Sequence, residues 1–216
     1  MNQCLSMELP IDIFNYIMSL LTSYEQLRLI QVCKLFNTSL KITNLYNLSY
    51  DHIIRLTDEI LNKYPCIEYL NLYDNKKVSN LDNFKYLSKL CIVGQCWIND
   101  NDLKLLTNLT TLDARNNYTI KNISHLTKLI DLDIGGVCNV DDDDIKNLNL
   151  IKLSCSMNNK ITQVKHFSRL THLKIHVYCG ISLDELCKCQ SLQFLDLRYN
   201  SFYNYNRLRK NITIID

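Results

Sequence analysis

Apolar residues recur in a fixed pattern over most of the chain. One unit of the pattern begins at Leu109, carries Leu112 and Ala114 in alternation, and continues to Asn117. Such alternation predicts a short strand with one face on a core. Apolar residues then follow at a spacing of three, which suits a tight 3₁₀-like return path; they are Ile120, Ile123 and Leu126. A unit this small cannot bury its own apolar edge, so it needs a neighbour on each side.

The same pattern starts seven times along the chain. The first residues are Ile67, Leu87, Leu109, Leu129, Leu150, Leu170 and Leu192, at intervals of 20, 22, 20, 21, 20 and 22 residues. Weaker units flank the seven, one at Leu45, Leu48 and Tyr50 and one at Ile212 and Ile215. The pattern resembles the leucine-rich repeat, whose period is about 20–29 residues. The resemblance predicts a right-handed α/β solenoid with parallel strands on a concave face and short helices or 3₁₀ turns on the convex face.

The units alternate between two kinds. Four carry an Asn eight residues after their first apolar residue, and the three between them carry a Cys nine residues after theirs; these are Asn75, Asn117, Asn158 and Asn200, and Cys96, Cys138 and Cys179. An Asn amide can pair with turn backbone groups that would otherwise be buried without a partner. We infer a double unit of 42 residues, the interval between Asn75 and Asn117.

The first 40 residues follow a different pattern. After Pro10, an apolar stripe at Ile13, Ile17 and Leu20 predicts a helix with Pro in its first turn. Ser23, with Gln26 three residues later, predicts a capping box that opens a second helix.

These N-terminal residues resemble the F-box. The matching pattern is Leu9-Pro10, Ile13, Ile17, Leu20, Leu27, Val32-Cys33-Lys34 and Phe36. It departs from the family at Phe36, where Trp is common, and at Asp12-Ile13, where many members have Glu-Ile. The resemblance implies a three-helix F-box domain at residues 1–44, followed by leucine-rich repeats at 45–216. It also implies that eight residues supply the helical core and the surface for a Skp-type adaptor, itself held by a cullin scaffold; they are Leu9, Pro10, Ile13, Ile17, Leu20, Leu27, Val32 and Phe36.

An F-box followed by leucine-rich repeats resembles the substrate receptors of SCF-type E3 ubiquitin ligases. The resemblance implies a non-catalytic chain that binds an adaptor and a target protein. A decoy that sequesters the adaptor or a host protein is the alternative. Frequent Asn, Ile, Lys and Tyr fit an AT-rich genome, and short proteins of this kind resemble those encoded by large DNA viruses of amoebae.

The third, fifth and seventh residues of each unit are expected to point away from the core on the concave side. We predict that they bind the target, with aromatic and Arg anchors at the ends and a basic ligand stretch against central acids. The candidate residues are Tyr69, Tyr73, Asp113, Arg115, Asp131, Asp133, His172, Lys174, His176, Phe194 and Arg198. The alternative is that solvent-facing strand positions are simply polar.

Charge, apolar runs and cysteine positions limit the binding partners, the location and the redox state that we expect for this protein. A net charge of +2 provides no global field for nucleic acid or an anionic membrane. The sequence has no apolar run typical of a membrane span and no signal peptide pattern, so we expect the cytoplasm or the nucleus, that of a host cell for a viral protein. The cysteines lie at core or turn positions of the repeat, which favours reduced thiols acting as small apolar fillers.

We expect neither catalysis nor a cofactor nor a metal site. Motifs for nucleotide binding, serine hydrolysis and zinc proteolysis are missing. His172 and His176 would lie about 13 Å apart on a strand, too far for one ion. The run Asp141 to Asp144 lacks the pattern of a calcium loop and is predicted to cap a short convex helix instead.

Overall fold

In the part of the chain that the structure describes, nine short parallel strands form one open sheet in chain order. The computed structural model describes residues 16, 20–22, 25, 26, 28, 42–200, 207, 208 and 211–215. The strands are β1 (Asn44–Leu45), β2 (Tyr69–Asn71), β3 (Lys89–Cys91), β4 (Thr111–Asp113), β5 (Asp131–Asp133), β6 (Lys152–Ser154), β7 (His172–Lys174), β8 (Phe194–Asp196) and β9 (Thr213–Ile215). The helices of the same region are α1 (Tyr50–Ile53), α2 (Asp58–Leu61), α3 (Asp100–Leu103), α4 (Asp142–Ile145) and α5 (Leu183–Lys188).

Strands β2 to β8 occupy the third to fifth residues of the seven predicted units. Every strand pairs in register with the next, so the fourth residue of each unit stacks on the fourth residue of its neighbour; these are Leu70, Leu90, Leu112, Leu132, Leu153, Leu173 and Leu195. All seven leucines are buried. The α/β solenoid with parallel strands is therefore confirmed.

The two flanking units were placed in the wrong register by the sequence pattern. Leu45 pairs with Leu70, so it is the fourth residue of a unit that begins at the buried Ile42. At the other end, Ile214 rather than Ile215 stands opposite Leu195. Because side chains alternate along a strand, this shift by one residue turns Ile215 outward, where it is 47% exposed.

The four asparagines predicted to end the strands are buried in the turns and hydrogen-bonded to the preceding unit. The amide nitrogen of Asn75 donates to the carbonyl oxygens of Ile53 and Leu56 at 2.6 and 3.0 Å. Its oxygen accepts from the backbone N–H groups of Lys77 and Val78, both at 2.8 Å. A side chain with two donors and an acceptor thereby satisfies four backbone groups that the core would otherwise isolate.

Helices and turns alternate on the convex side. Helices α2 to α5 each follow a side chain that accepts a hydrogen bond from the first turn; these capping residues are Thr57, Asn99, Asp141 and Ser182. In α4, Asp141 accepts from Asp143 and Asp144, and Asp144 accepts from the Asp141 backbone, which confirms the predicted role of this acidic run. The Asn-type units between the helices return through turns, as in the hydrogen bond from Leu126 to Ile123.

A carboxylate in three of these helices ties each one to the next unit. Asp58, Asp100 and Asp142 recur every 42 residues. Their Oδ1 atoms accept from two consecutive backbone N–H groups of the following turn at 2.8–3.2 Å; the donors are Ser79 and Asn80, Lys121 and Asn122, and Thr162 and Gln163. The helical unit and the turn unit therefore form one structural pair, as the 42-residue period predicts.

The described cysteines have free thiols, and most are packed in the core. They are Cys66, Cys91, Cys96, Cys138, Cys155, Cys179, Cys187 and Cys189. Burial raises the pKa of Cys91 to about 12 and that of Cys96 to about 11, so both thiols are neutral at physiological pH. Their role is that of small apolar side chains.

Little of the N-terminal segment lies within the described residues. The capping box there was assigned one residue too late: Thr22 and Glu25 form it, since each side chain accepts from the backbone N–H of the other at 3.4 and 2.9 Å. The Gln26 backbone donates to Thr22 instead. Throughout the described residues, every helix is too short or too polar to cross a bilayer.

Candidate functional site

The outward face of the sheet carries two aligned rows of side chains. Register places the third residues of the seven units, which begin strands β2 to β8, in one row from Tyr69 to Phe194. The fifth residues, which end these strands, form a second row from Asn71 to Asp196. The seventh residue of each unit lies two positions after the end of its strand. The structure thus brings the predicted target-binding residues onto one surface, which we call the outward face.

Opposite charges already pair in the middle of this face. Arg115 donates through Nε and Nη2 to the two carboxylate oxygens of Asp113 at 2.9 and 2.7 Å, and its Nε lies 3.5 Å from Asp133. Burial, together with the nearby Asp113, raises the pKa of Asp133 above its ordinary value. Lys152 approaches Asp131 to 4.0 Å. Because these acids hold cations of the same surface, the central patch is mixed in charge rather than uniformly acidic.

A concave cavity of about 320 Å³ lies over strands β5 to β9. The rings of His172 and Phe194 stack in its wall with centroids 4.4 Å apart. Lys152 and Lys174 also line the cavity, and Lys174 makes no ion pair with any described residue. The cavity therefore combines a flat aromatic surface with the unpaired Lys174, although three carboxylates line it as well; these are Asp131, Asp133 and Asp196.

Asp196 organises the edge of this cavity. Its carboxylate accepts from His176 Nε2 at 2.8 Å and from Arg198 Nε and Nη2 at 3.0 and 2.8 Å. These donors, Arg198 foremost, hold the pKa of Asp196 well below its ordinary range. The carboxylate therefore stays ionised and fixes the orientation of both side chains.

One further residue of the outward face was not predicted from the sequence pattern. Tyr46 occupies the fifth position of the first unit, and Lys89 Nζ lies 4.0 Å from the centroid of its ring. Burial raises the pKa of Tyr46 to about 12, so the ring stays neutral. Its place could have been recognised had the first unit been counted from Ile42. Tyr50 packs edge-on against Tyr73 with centroids 5.7 Å apart, so several aromatic rings lie at the N-terminal end of the sheet.

One of the eight predicted adaptor-binding residues lies in the described part of the chain. Leu20 is within the described residues and is 68% exposed. The other seven lie outside them; they are Leu9, Pro10, Ile13, Ile17, Leu27, Val32 and Phe36. For metals, the described residues contain no group of three or more His, Cys, Asp or Glu side chains placed to hold an ion.

The outward face and the repeat architecture define the class of protein as a leucine-rich-repeat solenoid, a fold typical of protein interaction modules. Comparison with known protein families identifies a second module in front of the solenoid. Residues 7–48 match the F-box domain, so the match overlaps β1. The F-box is likewise typically a non-catalytic interaction module, and F-box domains generally bind Skp-type adaptors. The chain therefore carries an F-box domain in front of a leucine-rich-repeat solenoid.

Among solved structures, the chain is similar to internalin C2 from Listeria monocytogenes str. 4b F2365, with 18% identity, a TM-score of 0.52, and coverage of 82% of this chain and 75% of that one. Internalin F of the same strain matches with 19% identity, a TM-score of 0.47, and coverage of 74% and 52%, so this chain spans about half of it. The similarity to internalin C2 concerns the fold alone. No curated protein sequence matches the chain.

Proposed function

We propose that this chain is the substrate-recognition subunit of an SCF-type E3 ubiquitin ligase. The observation that carries the proposal is the F-box match at residues 7–48, which leads directly into a solenoid with an open, side-chain-rich face. The F-box binds a Skp-type adaptor and through it a cullin scaffold, while the solenoid binds the target protein. Such a complex works in the cytoplasm or the nucleus.

The mechanism is bridging rather than chemistry. A target held on the solenoid and a ubiquitin-charged enzyme held on the scaffold meet at an effective concentration far above their bulk concentrations. The chain itself needs no nucleophile, metal or cofactor for this, and no catalytic residue is assigned to it.

The outward face is the proposed target-binding surface. Its anchors are the aromatic and cationic side chains that hot spots favour, Phe194 and Arg198 at one end and Tyr69 and Tyr73 at the other. Lys174 and His172 line the cavity between the centre and the C-terminal end. Since Asp113 and Asp133 are already paired with Arg115, a purely basic ligand is not required, and we expect a target segment of mixed charge.

The test follows the fate of captured proteins in cells. Three tagged forms are compared: the parent, an F-box variant (Leu9→Ala with Pro10→Ala) and a face variant (Lys174→Ala with Phe194→Ala). We expect target proteins to bind the parent and the F-box variant but not the face variant. The same targets should be ubiquitinated and degraded faster only when the parent is expressed. A convex variant (Lys104→Ala with Leu105→Ala), exposed and away from the face, should behave as the parent.

Two results would contradict the proposal. Ubiquitination of the captured proteins that persists with the F-box variant would show that the adaptor is not involved. The second result is that expression of the parent degrades none of the captured proteins while the targets of other F-box receptors accumulate. That result would identify the chain as a decoy.

A further inference from the structure

A row of exposed apolar side chains runs along the turns that follow the strands. Six consecutive units contribute one each, and each of the six is more than half exposed; they are Trp97, Tyr118, Val137, Met157, Tyr178 and Tyr199. We call this row the edge stripe. It lies beyond the third and fifth rows of the outward face and was not recognised from the sequence.

The turns that carry the edge stripe are stacked on one another. Beyond the strands, the backbone N–H of the eighth residue of a unit donates to the seventh or eighth carbonyl of the next at 2.7–3.0 Å; the pairs are Asp74 to Val93, Gly94 to Arg115, Asn116 to Gly135, Gly136 to Ser156 and Met157 to Val177. Stacked strands lie about 4.8 Å apart, so six turns span about 24 Å. The stacked turns thus place the six side chains along the same edge of the solenoid.

Backbone conformation gives an independent reason to suspect a ligand here. The turns need a residue with positive φ, and Gly94 and Gly136 provide it at +80° and +74°. In the three C-terminal turns the same conformation is adopted by Met157, Tyr178 and Tyr199, at +62°, +55° and +63°. A bulky side chain in this region costs about 1–2 kcal/mol.

Burial does not offset that cost. Met157, Tyr178 and Tyr199 are 62%, 71% and 82% exposed, so their side chains gain little from packing. Glycine or asparagine would suit these turns better on grounds of stability, as Asn116 shows at +56°. Packing within the described part of the chain therefore leaves the strain of these three turns without compensation.

The charge around the edge stripe indicates the nature of that molecule. Residues seven to eleven of the seven units include five cationic side chains and one carboxylate; the cations are Lys76, Lys77, Arg115, Lys160 and Arg198, and the acid is Asp74. Asp74 accepts from the backbone N–H of Gln95. The two arginines pair with Asp113 and Asp196.

Within the described part of the chain, the three lysines have no carboxylate partner. Lys76 donates to the amide oxygen of Gln95 at 2.8 Å and Lys160 to that of Asn139 at 2.6 Å, both neutral partners. Lys77 forms no ion pair with a described residue. Lys76 also lines a cavity of about 340 Å³ together with Trp97 and Tyr118, so positive charge and aromatic surface meet at one place.

We propose that the edge stripe binds an extended acidic segment of a protein, in which apolar side chains lie beside carboxylates. At about 3.3 Å per residue, seven or eight residues span the stripe. The inference rests on the proposed function in that the segment belongs to the target, and it adds a second contact surface beside the outward face. Single-stranded nucleic acid also binds aromatic and cationic side chains. It fits less well, because Val137 and Met157 offer no ring for stacking.

The experiment uses the full chain and four fluorescent probes of about ten residues or nucleotides, matched to the length of the stripe. They are peptides of alternating Leu and Glu, of alternating Leu and Lys, and of alternating Ser and Glu, and an oligothymidylate. We expect the Leu-Glu peptide to bind with a dissociation constant at least about tenfold below those of the other three, and more weakly as salt rises.

Variants locate the binding. Met157→Asn, Tyr178→Asn and Tyr199→Asn together should weaken Leu-Glu binding at least about tenfold without lowering the melting temperature, because Asn tolerates positive φ. The control replaces exposed apolar residues outside these turns, Tyr86→Asn, Leu105→Asn and Ile130→Asn, and should bind as the parent.

Each other outcome overturns the inference. Unchanged Leu-Glu binding by the stripe variant would place the peptide elsewhere. Equal binding of the Leu-Lys peptide would remove the charge preference, and tighter binding of oligothymidylate would make the stripe a nucleic-acid surface. Adaptor binding, measured on the same proteins, separates the two proposals. If the adaptor binds but the Leu-Glu peptide does not bind at the edge stripe, only the proposal for the edge stripe is refuted. If the peptide binds but the adaptor does not, only the receptor role is refuted.

Discussion

Single residues on the outward face differ in what they contribute, even when they carry the same charge. Asp113 and Asp133 both approach Arg115, but Asp113 makes two short hydrogen bonds to it, whereas Asp133 lies 3.5 Å from its Nε. Burial raises the pKa of Asp133, so its ionised form is disfavoured in the folded state. A carboxyl group whose pKa is raised in the folded state stabilises the fold at acidic pH, and this contribution is lost as the pH rises through that pKa. A neutral side chain at the same position recovers the lost stability at neutral pH.

We therefore expect two isosteric substitutions to change the free energy of unfolding differently. Asp113→Asn should lower the free energy of unfolding at pH 7 by about 1 kcal/mol, because it weakens a two-point contact with Arg115. Asp133→Asn should leave it within about 0.5 kcal/mol or raise it, since the amide oxygen can still accept from Gly135. Urea unfolding measures both. A larger loss for Asp133→Asn would show that Arg115 depends on Asp133 instead.

The Asp196 cluster predicts a dependence on pH. Because the folded-state pKa of Asp196 is depressed, its contribution to stability is present above the unfolded pKa of about 4 and is lost as pH falls toward the folded value. Asp196→Asn should cost roughly 1 kcal/mol at pH 7, and the difference from the parent should shrink between about pH 4 and 2. Urea unfolding across this range checks it. A constant difference would mean that the charge of Asp196 has no part in stability.

At the scale of the structural element, the units are joined by polar side chains as well as by the leucine core. Asn75 satisfies four backbone groups, two of them in the preceding unit. Asn75→Ala should lower the free energy of unfolding by about 3 kcal/mol, since it leaves buried donors and acceptors without partners. Asn147→Ala, at an exposed site, is the control and should change it by less than about 0.5 kcal/mol. Equal effects of the two in thermal or urea unfolding would contradict the role of the turn asparagines.

Neighbouring aspartates of α4 offer a second matched pair. Asp142 accepts from the backbone N–H groups of Thr162 and Gln163 in the next unit, whereas Asp143 pairs with Lys146 on the surface. Asp142→Ala should cost about 1–2 kcal/mol and Asp143→Ala less than about 0.5 kcal/mol. Hydrogen exchange at Thr162 and Gln163 should accelerate in the first variant only. Acceleration in both would point to general fraying of the helix.

The strands of the inner units could be predicted because local pattern and tertiary packing agree there. Leu112 and its equivalents occupy the same place in every unit, so one repeat determines the next. The end units lacked that support: Leu45 and Ile215 matched the motif by residue type, but pairing with β2 and β8 set a different register. Chain pattern alone cannot show which neighbour a strand will pair with.

The candidate site was predictable in part for the same reason. The rows from Tyr69 to Phe194 follow from the repeat, whereas the pairing of Arg115 with Asp113 depends on side-chain geometry. The edge stripe lay hidden because its members do not occupy one fixed repeat position: Trp97 is the eleventh residue of its unit and Met157 the eighth of its own. They become neighbours only when the turns stack.

At the scale of the whole molecule, the chain places two interaction modules in sequence. The F-box match ends at residue 48, within the first unit of a nine-stranded sheet that exposes both an outward face and an edge stripe. A substrate receptor needs two separate binding surfaces, because the surface that binds the adaptor must stay free of the target. The proposed function therefore depends on adaptor binding more than on any single residue of the solenoid.

Isothermal titration of the purified chain with a Skp-type adaptor tests that dependence most directly. We predict a one-to-one complex with a dissociation constant below about 1 µM, weakened at least about tenfold by Leu9→Ala with Pro10→Ala and unchanged by the stripe variant. Absence of binding at about 10 µM, with the solenoid folded and the Leu-Glu peptide bound, would contradict the receptor function.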